Sequence, residues 1–364
     1  MTGESMKQLD LVGAQVKLIL KENVLAITSQ TPLTTVSSAI HNGGGLKTTK
    51  IIINSQVTDE YGDRHLHDDP TRFVLESFKK LGFNECFVGM VTYANVADFA
   101  LVSKTDGDIA VSVVATAGCT HAESAGEKIV VQKIEGTINI VVVIDGNPVE
   151  SCLVSTLITA TEAKTAALRE LDLRSRYSGN EATGTITDAM VVAETGKGAP
   201  ILYGGPASKL GQLVGYCTRK AVKDAVMNSK IGGYLPSRSI FERLSERHLA
   251  LEKLAFELAK VKRLNATEKT IHATLNNLLD SDPLFAVVVL AALRLSDDFK
   301  VGLVPPQLGD VDFLGKKFGE FLSKQSSLNL AVDEFALVDL PPFLAQVLVG
   351  FLENAFSEKK NWKP

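Results

Sequence analysis

One stretch, from Gly136 to Glu194, constrains the fold more than any other. It opens with Gly-Thr-Ile-Asn-Ile-Val-Val-Val-Ile-Asp, in which Ile138 to Ile144 is apolar apart from Asn139. An unbroken β-branched run of this kind reads as a strand covered on both faces, which calls for further layers on either side of it. The stretch continues through Thr-Ala-Thr-Glu-Ala-Lys-Thr-Ala-Ala-Leu, helical in composition, and closes on Ala-Thr-Gly-Thr-Ile-Thr-Asp-Ala-Met-Val-Val-Ala, a glycine–threonine turn running into a second strand. Its junctions are built from Gly, Thr, Asn and acidic residues. Junctions like these aim backbone N–H groups and short hydroxyls at one place, which suits a polar ligand or a reacting amide.

The rest of the first part alternates in the same way. Strands are expected at Val24–Thr28, at Ile51–Asn54 after the glycine turn Gly43-Gly44-Gly45, at Phe87–Thr92, at Ile109–Thr116 and around Val191. Asp69-Pro70 opens a helix over Thr71–Leu81, since proline is well placed in a first helical turn. A second helix covers Gly211–Met227, with Leu213, Val214, Cys217, Ala221, Val222 and Ala225 as its inner face. Near Gly232 the character changes to helix throughout. Ser237 is expected to cap one helix, Asn265-Ala-Thr-Glu268 has capping-box spacing before another, and Asp282-Pro283 starts a third. Two more are expected over Asp310–Leu322 and Pro342–Phe356. The expected architecture is α+β or α/β. A layered mixed β-sheet core flanked by helices forms a catalytic domain over 1–231, followed by an all-helical C-terminal domain over 232–364. The apolar faces at Phe343, Val347, Val349 and Phe351 need burial, so these helices are expected to dock on the core or to form a homo-oligomer.

Composition narrows the function. With 38 basic and 42 acidic residues the net charge is −4, and no half of the chain is a basic block, which argues against nucleic acid as a partner. Leu284–Leu293 is the longest apolar run, about half the roughly 20 residues of a membrane span, and Arg294, Asp297 and Asp298 follow it directly; it reads as a buried helix. The N-terminus lacks the layout of a signal peptide. Cys86, Cys119, Cys152 and Cys217 are scattered, match no zinc spacing, and read as buried thiols of a reducing cytoplasm. His65 and His67 are better explained by a solvated loop before the Asp-Pro helix start than by a metal, and no metal site is expected.

Four constellations carry possible chemistry. In Ser37-Ser38-Ala-Ile-His41-Asn42-Gly43-Gly44-Gly45, consecutive glycines let the backbone approach a ligand, with Asn42 as donor; a plain turn between strands is the bland alternative. Glu162 is a candidate base, yet Thr159 and Glu162 stand three apart where the helix is expected to start, the spacing of a capping box. Thr183-Gly184-Thr185-Ile-Thr187-Asp188 offers hydroxyls and N–H groups for an oxyanion, with Asp188 to orient a donor or take a proton, or else it is a hydrogen-bonded turn. Asn139 inside an apolar strand must find partners, in a ligand amide or in a structural network. Ser37, Ser38, Thr92 and Thr116 are candidate nucleophiles, and no Ser-His-Asp order or nucleophile elbow favours one of them.

Taken in order, Ser37–Gly44, Val88-Gly-Met-Val-Thr92, Ala115-Thr-Ala-Gly118, Gly136-Thr-Ile-Asn139, Thr161-Glu-Ala-Lys164 and Ala182–Asp188 resemble the adenosylcobinamide amidohydrolase family, over residues 15–228. One departure is Thr120-His121-Ala122-Glu123, where the family pattern leads one to expect Asn-Ala. The resemblance implies hydrolysis of the amide between the aminopropanol arm and the corrin ring in cobalamin salvage. The cobalt corrinoid would be the substrate, and no catalytic cofactor would be required. Within that expectation Glu162 activates water, the N–H groups of Asn42-Gly43-Gly44 or Thr183-Gly184-Thr185 hold the oxyanion, and Asp188 or His41 manages the departing amine. Thr92, Thr116, Gly118 and Asn139 are expected to bind substrate, with Tyr61, Tyr93 and Met90 near the flat face of the ring. The layout also resembles, more distantly, self-cleaving aminopeptidases and ornithine acetyltransferase, which offers a self-processing amidase with an N-terminal Ser or Thr nucleophile as an alternative. A corrinoid-binding protein without turnover is the other.

Overall fold

The computed structural model of the chain describes residues 7–12, 15–58, 69–128, 136–229, 239–303, 314–315, 317–318 and 338–361. Tyr61, His65, His67, Ser237 and nearly all of the helix expected over Asp310–Leu322 lie outside the described residues. The chain divides into two compact units, residues 1–237 and 238–364.

The first unit contains β1 (Lys7–Asp10), β2 (Val16–Lys21), β3 (Val24–Ser37), β4 (Gly44–Gln56), helix α1 (Pro70–Lys80), β5 (Phe87–Thr92), β6 (Ala100–Asp106) and β7 (Ile109–Gly118). There follow β8 (Ala122–Glu123), β9 (Thr137–Asp145), β10 (Asn147–Pro148), α2 (Glu150–Glu170), β11 (Gly184–Thr185), β12 (Ala189–Glu194), β13 (Pro200–Ile201) and α3 (Lys209–Asn228). Nine strands form one mixed sheet in the order β1-β2-β3-β12-β9-β7-β6, with β4 and β5 branching off β3. β3 makes the branch possible. Its first half pairs with β2 and β4, its second half with β4 and β12, and its register with β4 shifts between Thr28 and Leu33. Such irregularities bend a strand, and here the sheet curls into two facing halves.

Side-chain alternation then sorts the core into layers. On one face of β7, β9 and β12, Val113, Ile140, Val142 and Val192 pack against α2 and α3. On the other, Val114, Val141, Val143 and Val191 meet Leu25, Ile27, Ile52 and Met90 of the opposite sheet half. Behind that half, Ile51 and Ile53 pack on Val74 and Phe78 of α1. The order is helices, sheet, sheet, helix, the layered α+β core expected from β9 being apolar on both faces. The two halves are also tied by polar groups. Asn139 donates to Asn54 Oδ1 and to the Val91 carbonyl, both at 2.8 Å, and accepts from Ala189 N at 2.9 Å. Asn54 in turn donates to Thr116 Oγ1 at 2.9 Å.

Two expected caps differ. Thr159 and Glu162 are not at a helix start: α2 begins nine residues before Thr159, at Glu150, with Val149 as an N-cap that makes no side-chain bond. Thr159 is buried and donates instead to the Gly204 carbonyl at 2.8 Å. In the second unit, the helix expected to start with Asn265 is capped by Thr267, while Asn265 takes a left-handed conformation at φ 42°. Asp69 and Asp282 cap α1 and the Pro283–Lys300 helix as read.

The second unit comprises α4 (Ile240–Ser245), α5 (Leu251–Leu258), α6 (Glu268–Ser281), α7 (Pro283–Lys300) and α8 (Pro342–Asn361). It has its own core, in which Leu254, Leu258, Ile271, Leu275, Phe285 and Val289 meet Phe343, Val347 and Val349. Phe351 stacks edge-on against Phe285 at 4.3 Å. The apolar faces that called for an external partner are thus buried inside the unit. The run Leu284–Leu293 is amphipathic rather than buried all round, since Leu284 and Val287 are exposed. Among the described residues no helix is long and apolar enough to cross a membrane. Cys119, Cys152 and Cys217 are buried thiols, whereas Cys86 is exposed.

The Asn139 tie carries a measurable cost. Asn139→Leu leaves Asn54 Oδ1, the Val91 carbonyl and Ala189 N without their partner, each a loss of about 1–3 kcal/mol. The variant is expected to lose at least about 3 kcal/mol of stability in denaturant unfolding; a loss below about 1 kcal/mol would show that the tie is dispensable.

Candidate active site

The turn between β11 and β12 is organised by one carboxylate. Asp188 Oδ1 accepts from Ile138 N at 2.9 Å and from the Thr185 hydroxyl, and Oδ2 accepts from Thr185 N at 3.1 Å and from the Lys164 ammonium. Lys164 comes from α2. The side chains of the pair are 11% and 14% exposed, so it is close to a buried ion pair. Gly184 is what lets them meet: a Cβ there would stand 2.5 Å from Asp188 Oδ2 and 2.8 Å from Lys164 Nζ. Cys119 lies beside the pair, and burial first, and Asp188 second, push its thiol up to about 12, which favours the protonated thiol near neutral pH.

On its outer side Asp188 faces a cleft of about 290 Å3 at the open end of the layer between the two sheet halves. Its polar wall is Ser38, Thr137, Thr187 and Asp188. The Thr137 and Thr187 hydroxyls lie 2.8 Å apart, Thr187 also reaches the Gly136 carbonyl at 3.2 Å, and Ser38 Oγ accepts from Met190 N at 3.0 Å. Ile40, Met90, Val91 and Tyr93 supply the apolar side.

Two sequence constellations therefore meet at one cleft, Ser38 and Ile40 from the first and Thr187 and Asp188 from the second, while His41, Asn42, Gly43 and Gly44 do not line it. His41 exchanges two backbone hydrogen bonds with Gly89, both at 3.0 Å, and its ring stacks on Phe87 at 4.4 Å. Asn42, at φ 53°, donates to the Phe87 carbonyl at 2.9 Å. Gly43 closes a turn so tight that a Cβ would stand 2.0 Å from the Ala39 carbonyl oxygen, and Gly44 already begins β4. This is a tight turn between strands, fastened down by its own backbone and by Phe87 and Gly89.

The residues expected as substrate contacts, Thr92, Thr116, Gly118 and Asn139, lie elsewhere. All are buried, and none lines the cleft. Thr92 Oγ1 accepts from Ala94 N at 2.9 Å, Thr116 and Asn139 belong to the tie between sheet halves, and Gly118 packs on Ala94. Thr183 Oγ1 accepts from Ala125 N at 2.9 Å, Thr185 donates to Asp188 through its N–H and its hydroxyl, and Gly184 leaves the space in which Asp188 meets Lys164. Glu162 is on the exposed face of α2, turned away from the side on which Lys164 is buried. Sequence reasoning missed Lys164. The available signal was its place among Leu153, Ala160, Ala163 and Ala167 on the buried face of an amphipathic helix, where a lysine requires an acidic partner. Among the described residues no group of three or more His, Cys, Asp or Glu could hold a metal ion.

A family model described as adenosylcobinamide amidohydrolase matches residues 10–231. The chain belongs to this family, and it is an amide-hydrolysing enzyme. An adenosylcobinamide amidohydrolase of Methanosarcina mazei is 30% identical over 174 residues, covering 48% of this chain and 74% of the relative. An uncharacterized protein of Methanocaldococcus jannaschii is 28% identical over 205 residues, covering 50% of this chain and 79% of that one. Among solved structures, a β-aminopeptidase of Burkholderia sp. aligns with a TM-score of 0.33 and 13% identity, over 58% of this chain and 80% of its own, a likeness too slight to bear on the chemistry.

Glu123, in the segment that departs from the family pattern, is buried on β8 and paired with Gly184 of β11. Burial raises its carboxyl above the ordinary value of 4.5, and Glu127 and Asp188 raise it further. A raised acid contributes its full stability below the unfolded value and loses it as pH climbs through the folded one. Glu123→Gln should therefore be more stable than wild type near neutral pH, with the advantage shrinking toward pH 4.5. Thermal unfolding across that range checks this, and an advantage that grows on acidification would contradict it.

Proposed function

We propose that this enzyme hydrolyses the amide joining the aminopropanol arm of adenosylcobinamide to the corrin ring, releasing adenosylcobyric acid and 1-aminopropan-2-ol in the salvage of incomplete corrinoids. The supporting observation is the cleft itself. Three hydroxyls, of Ser38, Thr137 and Thr187, converge beside a carboxylate braced by a buried lysine. Amide hydrolysis needs a polarised carbonyl, stabilisation of the tetrahedral oxyanion and protonation of the departing amine. The hydroxyls orient the arm and its amide, whose own hydroxyl and N–H groups are matched hydrogen-bonding partners. Water attacks the amide carbonyl, the C–N bond breaks, and the protons of that water pass to the departing amine, leaving a carboxylate; Asp188, with four donors already on its two oxygens, works as a fixed negative charge toward the amine as it becomes an ammonium. Lys164 positions Asp188. The cobalt corrinoid enters as substrate, and no further cofactor is invoked.

Release of 1-aminopropan-2-ol from adenosylcobinamide tests the activity directly; binding without release would leave a corrinoid-binding protein instead. Within the active enzyme, Asp188→Asn is expected to lower kcat by about 100-fold or more, on the scale of losing one preorganised electrostatic contact, while Glu162→Gln keeps near-full turnover. Because removing one partner of a buried pair costs about 3–5 kcal/mol and replacing both is often neutral, the double variant Lys164→Met/Asp188→Leu separates folding from chemistry. It should fold and be inactive. Turnover retained in the double variant but lost in Glu162→Gln would return the chemistry to α2's outer face.

A further inference from the structure

We propose that the cleft admits only the aminopropanol arm with its amide, and that the corrin macrocycle stays outside it, seated on an apolar rim formed by Ile40 and Tyr93. The inference rests on the activity proposed above and assigns a separate subsite for the ring. Volume decides the first half. At about 290 Å3 the cleft lies at the lower edge of the roughly 300–1,000 Å3 that encloses a drug-sized ligand. A corrin with its peripheral amides is several times larger than such a ligand, whereas the arm and one amide fit.

The distribution of lining residues decides the second half. Thr137, Thr187 and Asp188 come from the starts of β9 and β12, where a scissile amide must be placed, Met90, Val91 and Tyr93 come from β5 and the residue after it, and Ile40 comes from the loop after β3. Ile40 is 52% exposed, although it follows the buried Ala39. A single exposed isoleucine is ordinary, but this one is held in place. The backbone of the next residue is bonded both ways to Gly89, Asn42 is tied to the Phe87 carbonyl, and the Gly43 turn closes on Ala39. An apolar side chain fixed at the mouth of a polar cleft offers a flat ring surface to bury without any cost of ordering the loop. Tyr93, half-buried beside it, adds an aromatic body of the kind that packs flat against such a ring.

The test separates ring from arm. The variant is Ile40→Ser, and the arm probe is N-(2-hydroxypropyl)propanamide, which carries the arm and its amide but no ring, used as a competitive inhibitor. The expected result is that Ile40→Ser raises KM for adenosylcobinamide by about tenfold with kcat held, while the inhibition constant of the arm probe is unchanged. If the probe fails to compete in wild type, the cleft does not take the arm. If Ile40→Ser leaves KM for the corrinoid unchanged, or weakens probe and corrinoid alike, the rim is not the ring's seat. Each of these outcomes overturns the subsite while aminopropanol release by wild type still stands. Absence of that release would overturn the activity itself, and the subsite with it.

Discussion

The contact between Lys164 and Asp188 is the constraint on which the site depends. A lysine on the buried face of α2 has no solvent to hold its charge, so the chain must bring it a carboxylate. Asp188 reaches it only because Gly184 leaves the space open. Once there, its remaining lone pairs fix Ile138 N and Thr185, which sets where β9 and β12 begin. One ion pair thus connects the helix layer, the glycine–threonine turn and the ends of two parallel strands. A buried pair of this kind is weak as a source of net stability, since desolvation offsets much of the attraction. It is strong as a constraint on geometry, because every alternative leaves a charge buried and alone.

The cleft follows from the curl of the sheet. β3 serves both halves, and between them lies an apolar layer of Leu, Ile and Val that ends where Asn139, Asn54 and Thr116 appear. Polar groups this deep are tolerated because every donor of the Asn139 amide is used. Their bonds hold Val91 on one wall and Ala189 on the other, both of which line the cleft. Ser38, Thr137 and Thr187 lie one step further out, where they line the cleft. The same residue types occur in both places, and position relative to the end of the apolar layer decides which are structural.

That distinction explains what could be read in the sequence. The layered core was legible, because the apolar run of β9 and the inner face of α3 each state their burial by periodicity. The Ser37–Gly45 and Thr183–Asp188 loops, both singled out in the sequence, reach one cleft through Ser38 and Ile40 and through Thr187 and Asp188. Of the residues facing the cleft, Ser38, Asp188, Met90 and Tyr93 were singled out in the sequence, whereas Ile40 and Thr137 were not. Asn42 and Asn139 look like ligand donors until their partners, Phe87 and Val91, are seen across strands distant in sequence. Glu162 looked like a cap or a base because spacing alone does not show where a helix starts, and α2 starts without a side-chain cap at all. Lys164 was overlooked for the opposite reason: within Glu-Ala-Lys it resembles an ordinary surface charge pair, and only the helical phase set by the small residues around it marks it as buried.

The helical unit shows the limit of burial arguments made one helix at a time. Phe343, Val347 and Val349 do need covering, and α5, α6 and α7 cover them. The match to the family model ends at residue 231, and every residue lining the cleft precedes it. The described lining of the cleft therefore belongs to the sheet-and-helix unit, which has its own layered core. An apolar face in sequence establishes that something must pack on it. Only the neighbouring helices, each with a matching face, establish that this something belongs to the same unit.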